Sequence, residues 1–369
     1  MRLPEDLWNS YREVCGLVVF YIVLAVLLFG VLILVHEFGH FITAKLFGVQ
    51  VNEFSLFMGP AIWKKQVGET LYSLRCIPIG GYCAMEGEDG ESENPRAFTN
   101  AKVWKRLIIL AAGSFMNVVI GLLICGIFTS IYFTDYIPGK QIESFRENCP
   151  YQAEELLHEG DVLYSIDSER VYVLNDFYIL MDRNEEQVYD FVVLRDGHKV
   201  EINDFEFKPV DYNGETAYGI NLKSEDKTVG TVLGYTWNQC VDFVRLVRMS
   251  FVDLFSGKAS VKDMSGPVGI VSIVVDQGTS SETIGFGVLN VLYIFSLIAI
   301  NLAVVNMLPV PALDGGRVVC LLVTAAAEKI LRRKINPKYE GYLHGAFMVL
   351  LLLFMAFITV KDVFQFFGG

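Results

Sequence analysis

The chain has 369 residues, 53% of them hydrophobic and only 20% charged, with a mean hydropathy of +0.40. About a quarter of a soluble chain is charged, so this balance excludes a soluble enzyme, and a net charge of −12 excludes a nucleic-acid binder. Charge-free runs at Cys15 to Val35 (21 residues), Leu107 to Thr134 (28), Thr283 to Leu313 (31) and Gly341 to Val360 (20) are each long enough for a bilayer core of roughly 30 Å. A polytopic membrane protein with four spans is expected.

The first run leads into His36, Glu37 and His40 before any loop residue appears. The N-terminal residues Arg2, Glu5, Asp6, Arg12 and Glu13 do not form a positive n-region, so the first span is expected to be retained. Alternation at Phe54 to Met58 and Tyr72 to Cys76, around Gly59-Pro60 and Gly68, predicts a β-hairpin. A Gly-rich acidic loop from Pro78 to Glu93 and a basic approach through Lys102, Lys105 and Arg106 precede the second span. Residues 135–222 read as a separate globular domain of mixed strands and helices. A three-to-four spacing of apolar positions then predicts an amphipathic helix from about Trp237 to Phe255, stopped by Gly257. The third run is broken by Pro309-Val310-Pro311 and Gly315-Gly316. Unwound backbone at that depth needs burial in protein or a wet cavity.

Charge fixes a topology. Asp135 to Asp263 holds 25 acidic and 13 basic residues, which is the whole charge of the chain. Lys45 to Arg106 holds 8 basic residues, and the last loop carries Lys329, Arg332, Arg333, Lys334 and Lys338. Basic loops stay cytoplasmic, so the acidic middle region is expected outside. None of the 7 cysteines lies in a CxxC; Cys149 and Cys240, both outside, are able to pair or to remain free thiols.

His36-Glu37-Phe38-Gly39-His40 is an HExxH. On a helix the i, i+4 spacing puts both imidazoles on one face, spaced for a single Zn²⁺, with Glu37 placed as general base. Ionisable groups at the end of an uncharged span are costly, and a functional reading is the default. A catalytic zinc needs a third protein ligand. The extended HExxHxxGxxH form fails, because Leu46 stands at its last position. Asp314, at the broken helix, and His344, in the last span, remain as candidates; His158 and His198 lie on the far side by the charge topology.

These residues resemble the site-2 proteases, the intramembrane zinc metalloproteases, of the bacterial RseP/RasP type with a single PDZ domain. The resemblance rests on His36-Glu37-Phe38-Gly39-His40, Pro78 to Tyr82, Met85 to Glu88, Lys102 to Arg106, Ala111 to Asn117, Ser265 to Ile270, and Asn306 to Gly316. It implies zinc held by His36, His40 and Asp314, Glu37 as catalytic base, and Asn306 holding substrate or the developing oxyanion. It also implies an α-helical polytopic membrane fold with a membrane-associated β-hairpin and an inserted extracytoplasmic α+β PDZ-like domain. The expected organisation is a first span within 1–47, hairpin and Gly-rich loop at 48–103, and a second span at 104–134. The PDZ-like domain at 135–222, a linker with an amphipathic helix at 223–282, and a broken third span at 283–327 follow. A basic loop at 328–340 and a fourth span at 341–369 complete it. Cys149-Pro150 and Gly160 to Leu163 resemble PDZ signatures, but Glu154-Glu155-Leu156-Leu157 replaces the usual small residues between them, and Ser114 stands where many members have proline.

The implied activity is endoproteolysis of single-span membrane proteins near the cytoplasmic side of a bacterial plasma membrane. Anti-sigma factors trimmed by an upstream site-1 protease and remnant signal peptides are the implied substrates. A metal transporter or a catalytically silent PDZ scaffold are the rival readings. A transporter should spread its ligands along several spans, and a scaffold has no use for Glu37 between the histidines.

Overall fold

Long uncharged runs have one economical solution in lipid, the helix, because it satisfies its own backbone. The computed structural model describes all residues except 1–4, 89, 91, 148, 150, 152–155, 185, 213–214, 261–263, 333–337 and 369. Arg2, Arg333 and Lys334, together with Pro150, Glu154 and Glu155 of the expected PDZ signatures, lie outside the described residues. In chain order the elements are α1 (Glu5–Leu46), β1 (Val51–Val67), β2 (Thr70–Met85), α2 (Val103–Tyr132), β3 (Tyr136–Phe145), β4 (Val162–Ile166), β5 (Glu169–Arg170) and α3 (Leu174–Asp182). Then come β6 (Val188–Arg195), β7 (His198–Glu206), β8 (Val210–Tyr212), β9 (Glu215–Ala217), β10 (Ile220–Asp226) and α4 (Val229–Ser256). The chain finishes with α5 (Pro267–Thr279), α6 (Ile284–Asn306), α7 (Asp314–Leu331) and α8 (Lys338–Gly368). Among the described residues, four helices are long and apolar enough to cross a membrane: α1 from Cys15, α2, α6, and α8 over Gly341–Gln365.

The chain divides into two compact units, one of residues 1–124 and 247–369, the other of residues 125–246. In the first unit, β1 and β2 form an antiparallel hairpin closed at Val67↔Thr70 around Gly68, whose φ is +58°. Phe54 pairs with both Tyr72 and Cys83, and Leu56 with both Leu74 and Gly81, so the start of β1 lies between two halves of a folded β2. The loop expected from Pro78 therefore begins as strand up to Met85. Gly80 and Gly81 erase the period-two signal, and Gly80 at φ +68° lets the strand turn back. Ala44, Val51, Cys83, Ile109, Leu110 and Leu321 share a buried core that ties α1, the hairpin, α2 and α7 together. A second core joins α1, α5 and α6 around Tyr21, whose ring lies where a Cβ on Gly278 or Gly287 would sit.

Polar residues in this unit mark helix ends. Thr283 caps α6 by accepting from the Phe286 N–H. Asp362 of α8 accepts from the Gly266 and Gly269 N–H groups at 2.8 and 2.9 Å, which satisfies the start of α5 and explains a buried carboxylate in the last span.

In the second unit, an antiparallel sheet runs in the order β10-β3-β4-β6-β7, with β5 paired to β4. Alternate residues such as Leu163, Tyr189, Phe191, Val193 and Phe205 are buried. The helix expected from Trp237 starts earlier, at Val229, because Gly230 and Gly234 obscure its first turns; it stops before Gly257 (φ +76°) as expected. Cys149 and Cys240 are both free and buried.

Candidate metal centre and active site

The 3.6-residue period of α1 stacks His36 and His40 one turn apart, with their Nε2 atoms 3.2 Å from each other. Asp314 Oδ2 lies 3.2 Å from His36 Nε2 and 3.3 Å from His40 Nε2. Ligand bonds of about 2.0–2.2 Å at a tetrahedral angle separate donor atoms by roughly 3.3–3.6 Å, so this triangle has the size of a zinc site.

The tautomer of His40 sharpens that reading. Its Nδ1 is 2.8 Å from the Ile109 carbonyl of α2, and a carbonyl only accepts, so Nδ1 carries the proton. In the neutral ring Nε2 is then bare, and its lone pair faces the Asp314 carboxylate. Asp314 Oδ2 is itself buried with no hydrogen-bond partner among the described residues. Acceptors converging in a buried space are unfavourable without a cation between them. These three residues could hold a metal ion, and the Glu37 side chain lies within electrostatic reach of all three.

The approach of α2 depends on small residues. A Cβ on Gly39 would fall 2.4 Å from the Ala112 carbonyl oxygen, and one on Gly113 would fall 2.3 Å from His40 Nε2 and 2.7 Å from His36 Cε1. Gly113 is thus the floor over which both imidazoles lie. Gly81 of β2 packs on the other side, where a Cβ would be 2.9 Å from Ile33 Cγ2 and 3.3 Å from Glu37 Cγ. The second half of β2 therefore runs directly beside Glu37.

Asp314 is aimed by the break between α6 and α7. The Leu308, Val310 and Leu313 N–H groups bond to nearby carbonyls in tight turns, and Ala312 takes a positive φ of 85°. The loop folds back onto the start of α7, where a Cβ on Gly315 would lie 2.3 Å from the Met307 carbonyl oxygen and one on Gly316 would lie 2.2 Å from that of Val310. Only glycine permits this return, so the Leu-Asp-Gly-Gly run is a packing requirement for presenting the carboxylate. His344 of α8 accepts from the Ala312 N–H at 3.0 Å, and Arg317 of α7 pairs with Glu88 from the loop after β2. Of the two residues that spacing alone left open, Asp314, the one the resemblance implies, faces the histidines, and His344 braces the break. Asn306 is the last residue of α6, half-buried, at the far end of the break from Asp314. Sequence reasoning assigned no part to Ile109, Gly113 and Asn117, which share one face of α2 at i, i+4, i+8 and back the two imidazoles.

Residues 24–354 match Peptidase family M50. The chain belongs to this family, the site-2 proteases. Its relatives include a Fusobacterium nucleatum protein carrying a zinc-metalloprotease name, 32% identical over 353 residues, covering 94% of this chain and 99% of the relative. A Clostridium acetobutylicum protein with the same kind of name is 33% identical over 347 residues, 93% of this chain and 97% of its own. The regulator of sigma-W protease RasP of Bacillus subtilis is 25% identical over 425 residues, 92% of this chain and 98% of its own. This site-2 protease is accordingly a multi-pass membrane enzyme, a zinc metalloprotease of intramembrane proteolysis. Two imidazoles and a carboxylate at the observed separations fit zinc, a borderline-soft ion that takes nitrogen and oxygen donors.

Proposed function

We propose that His36, His40 and Asp314 hold the zinc of this protease and that Glu37 is its general base. When bound, zinc supplies Lewis acidity that polarises a peptide carbonyl and makes water reactive near neutral pH. Glu37 takes the proton of the attacking water and delivers it to the leaving amide nitrogen. Asn306 donates its amide N–H to the substrate carbonyl as negative charge develops there, a role suited to an uncharged donor in an apolar site.

The substrate must first lose its helical hydrogen bonds. The second half of β2, packed on α1 beside Glu37, supports the reading that an unwound substrate joins this sheet edge as a strand and is presented to the base. The substrates are single-span membrane proteins, among them anti-sigma factors already trimmed by a site-1 protease, and remnant signal peptides. The sigma-regulator name of the Bacillus relative supports the first class. Basic residues between α1 and α2 and after α7 support an active site toward the cytoplasm of a bacterial cell. The acidic domain at 135–222 is then extracytoplasmic and PDZ-like.

The observation that carries the proposal is the buried triangle of two imidazole nitrogens and one carboxylate oxygen, with Glu37 in its field. The test is cleavage in detergent of a tagged single-span substrate truncated on its outer side. The parent enzyme cuts it, and Glu37→Gln, which keeps the shape but cannot take a proton, does not. Equal cleavage by both would remove Glu37 from the mechanism.

A further inference from the structure

α2 touches the second imidazole in a way the mechanism does not yet use. The Asn117 side chain, fully buried in an apolar helix, brings Nδ2 to 3.1 Å from His36 Nδ1, while its Oδ1 is buried with no hydrogen-bond partner among the described residues. A buried amide whose oxygen meets no donor has lost hydration without compensation. With Nδ2 donating to Nδ1, the proton of neutral His36 would sit on Nε2, pointing at His40 Nε2 and Asp314 Oδ2 and filling the triangle. The two ends of an amide have nearly the same size, so exchanging them moves no neighbour, and Oδ1 gives up no hydrogen bond by leaving its present place.

We infer that Asn117 is a positioning residue of the metal centre: its amide oxygen accepts the Nδ1 proton of His36 and leaves the Nε2 lone pair facing Asp314 and His40. His40 is already held this way by the Ile109 carbonyl, so both imidazoles are fixed from one face of α2. Gly113, midway between Ile109 and Asn117, leaves the space through which the rings pass. A carbonyl oxygen behind each ring makes the opposite nitrogen more basic and locks the ring plane, and loss of such a partner costs typically 10–100-fold in metal affinity.

This inference rests on His36 being a zinc ligand, and the experiment separates the two. Full-length protein in detergent is stripped of metal, and zinc affinity is measured by chelator competition; the visible absorption of the Co²⁺-loaded form reports ligand geometry. Asn117→Leu keeps the volume and loses the acceptor, whereas Asn117→Asp keeps an acceptor oxygen and loses the amide donor. Asn117→Leu is expected to bind zinc about 10–100-fold more weakly with a changed cobalt spectrum, and Asn117→Asp to stay within a few-fold of the parent with the parental spectrum. Metal-free thermal unfolding of each variant separates a misfolded chain from a mispositioned ligand. Parental zinc affinity in Asn117→Leu would overturn the inference, as would equal losses in both variants, since the amide N–H would then be the group that matters. His36→Ala distinguishes the levels: zinc lost there but kept in Asn117→Leu refutes only the role of Asn117, and zinc kept in both refutes the ligand set itself.

Discussion

Gly113→Ala asks whether the floor of the site is a packing requirement. Helix propensity alone favours alanine over glycine by about 1 kcal/mol, so the backbone gains from the change. The added Cβ, however, would lie 2.3 Å from His40 Nε2 and 2.7 Å from His36 Cε1, against ordinary contacts beyond 3.4 Å. Roughly 1 Å of overlap must be relieved, and the rigid neighbour is α1, already against the Ala112 carbonyl at Gly39. The rings therefore have to move. Overpacking of this kind costs about 1–3 kcal/mol; drawn from metal binding, that weakens zinc by roughly fivefold to 150-fold. A misplacement of about 1 Å at a reacting centre lowers turnover by on the order of 100-fold. Zinc competition and substrate cleavage read both effects, with Gly16→Ala as control because nothing among the described residues lies within 4 Å of its Cβ position. Parental zinc affinity and turnover in Gly113→Ala would refute the account of how α2 backs the site.

Other perturbations test its supports. Asp242 of α4 is buried beside Asp176 and Arg245, and burial and the Asp176 charge push its pKa up to about 7. The folded state then holds a proton that the unfolded state has lost above about pH 4, so this group's contribution to stability declines as pH rises from about 4 to about 7. Asp242→Asn should flatten that decline in the unfolding temperature, and an unchanged slope would reassign it. Glu88→Ala and Arg317→Ala should each lower cleavage several-fold, with the double variant no worse than either; a coupling below about 0.5 kcal/mol would mean that the pair does not help to aim Asp314. His344→Leu removes the acceptor for the Ala312 N–H and should weaken zinc by roughly tenfold, about 1–1.5 kcal/mol. Zinc affinity equal to the parent's would show that the break holds its shape without it.

What the sequence revealed and what it hid divide along physical lines. Four spans were legible because their signal is one of composition over twenty residues, and His36 and His40 because a single helical period relates them. The strand from Pro78 to Met85 was hidden because Gly80 and Gly81 carry no alternation, and its pairing to β1 closes over a turn. Helix α5 opens with Pro267 in its first turn, a local start signal, but its anchor Asp362 lies nearly a hundred positions away, where no local pattern points to it. Spacing alone leaves the choice between Asp314 and His344 open, and only the resemblance picks Asp314, because whether α7 or α8 presents its polar residue to α1 is decided by packing. Gly113 and Asn117 were visible only as letters in a motif. A glycine and an amide at i, i+4 in an apolar helix give a signal, but the partner that explains them lies on another helix.

The central claim is that two imidazoles and one carboxylate, drawn from α1 and the start of α7, hold the zinc that Glu37 works beside. Zinc content of the parent, Glu37→Gln and Asp314→Ala, purified side by side and exchanged against the same chelator, tests it most directly. About one zinc per chain in the first two and a marked loss in Asp314→Ala is the expected result. Zinc retained equally in Asp314→Ala, or absent from the parent after loading, would contradict the site.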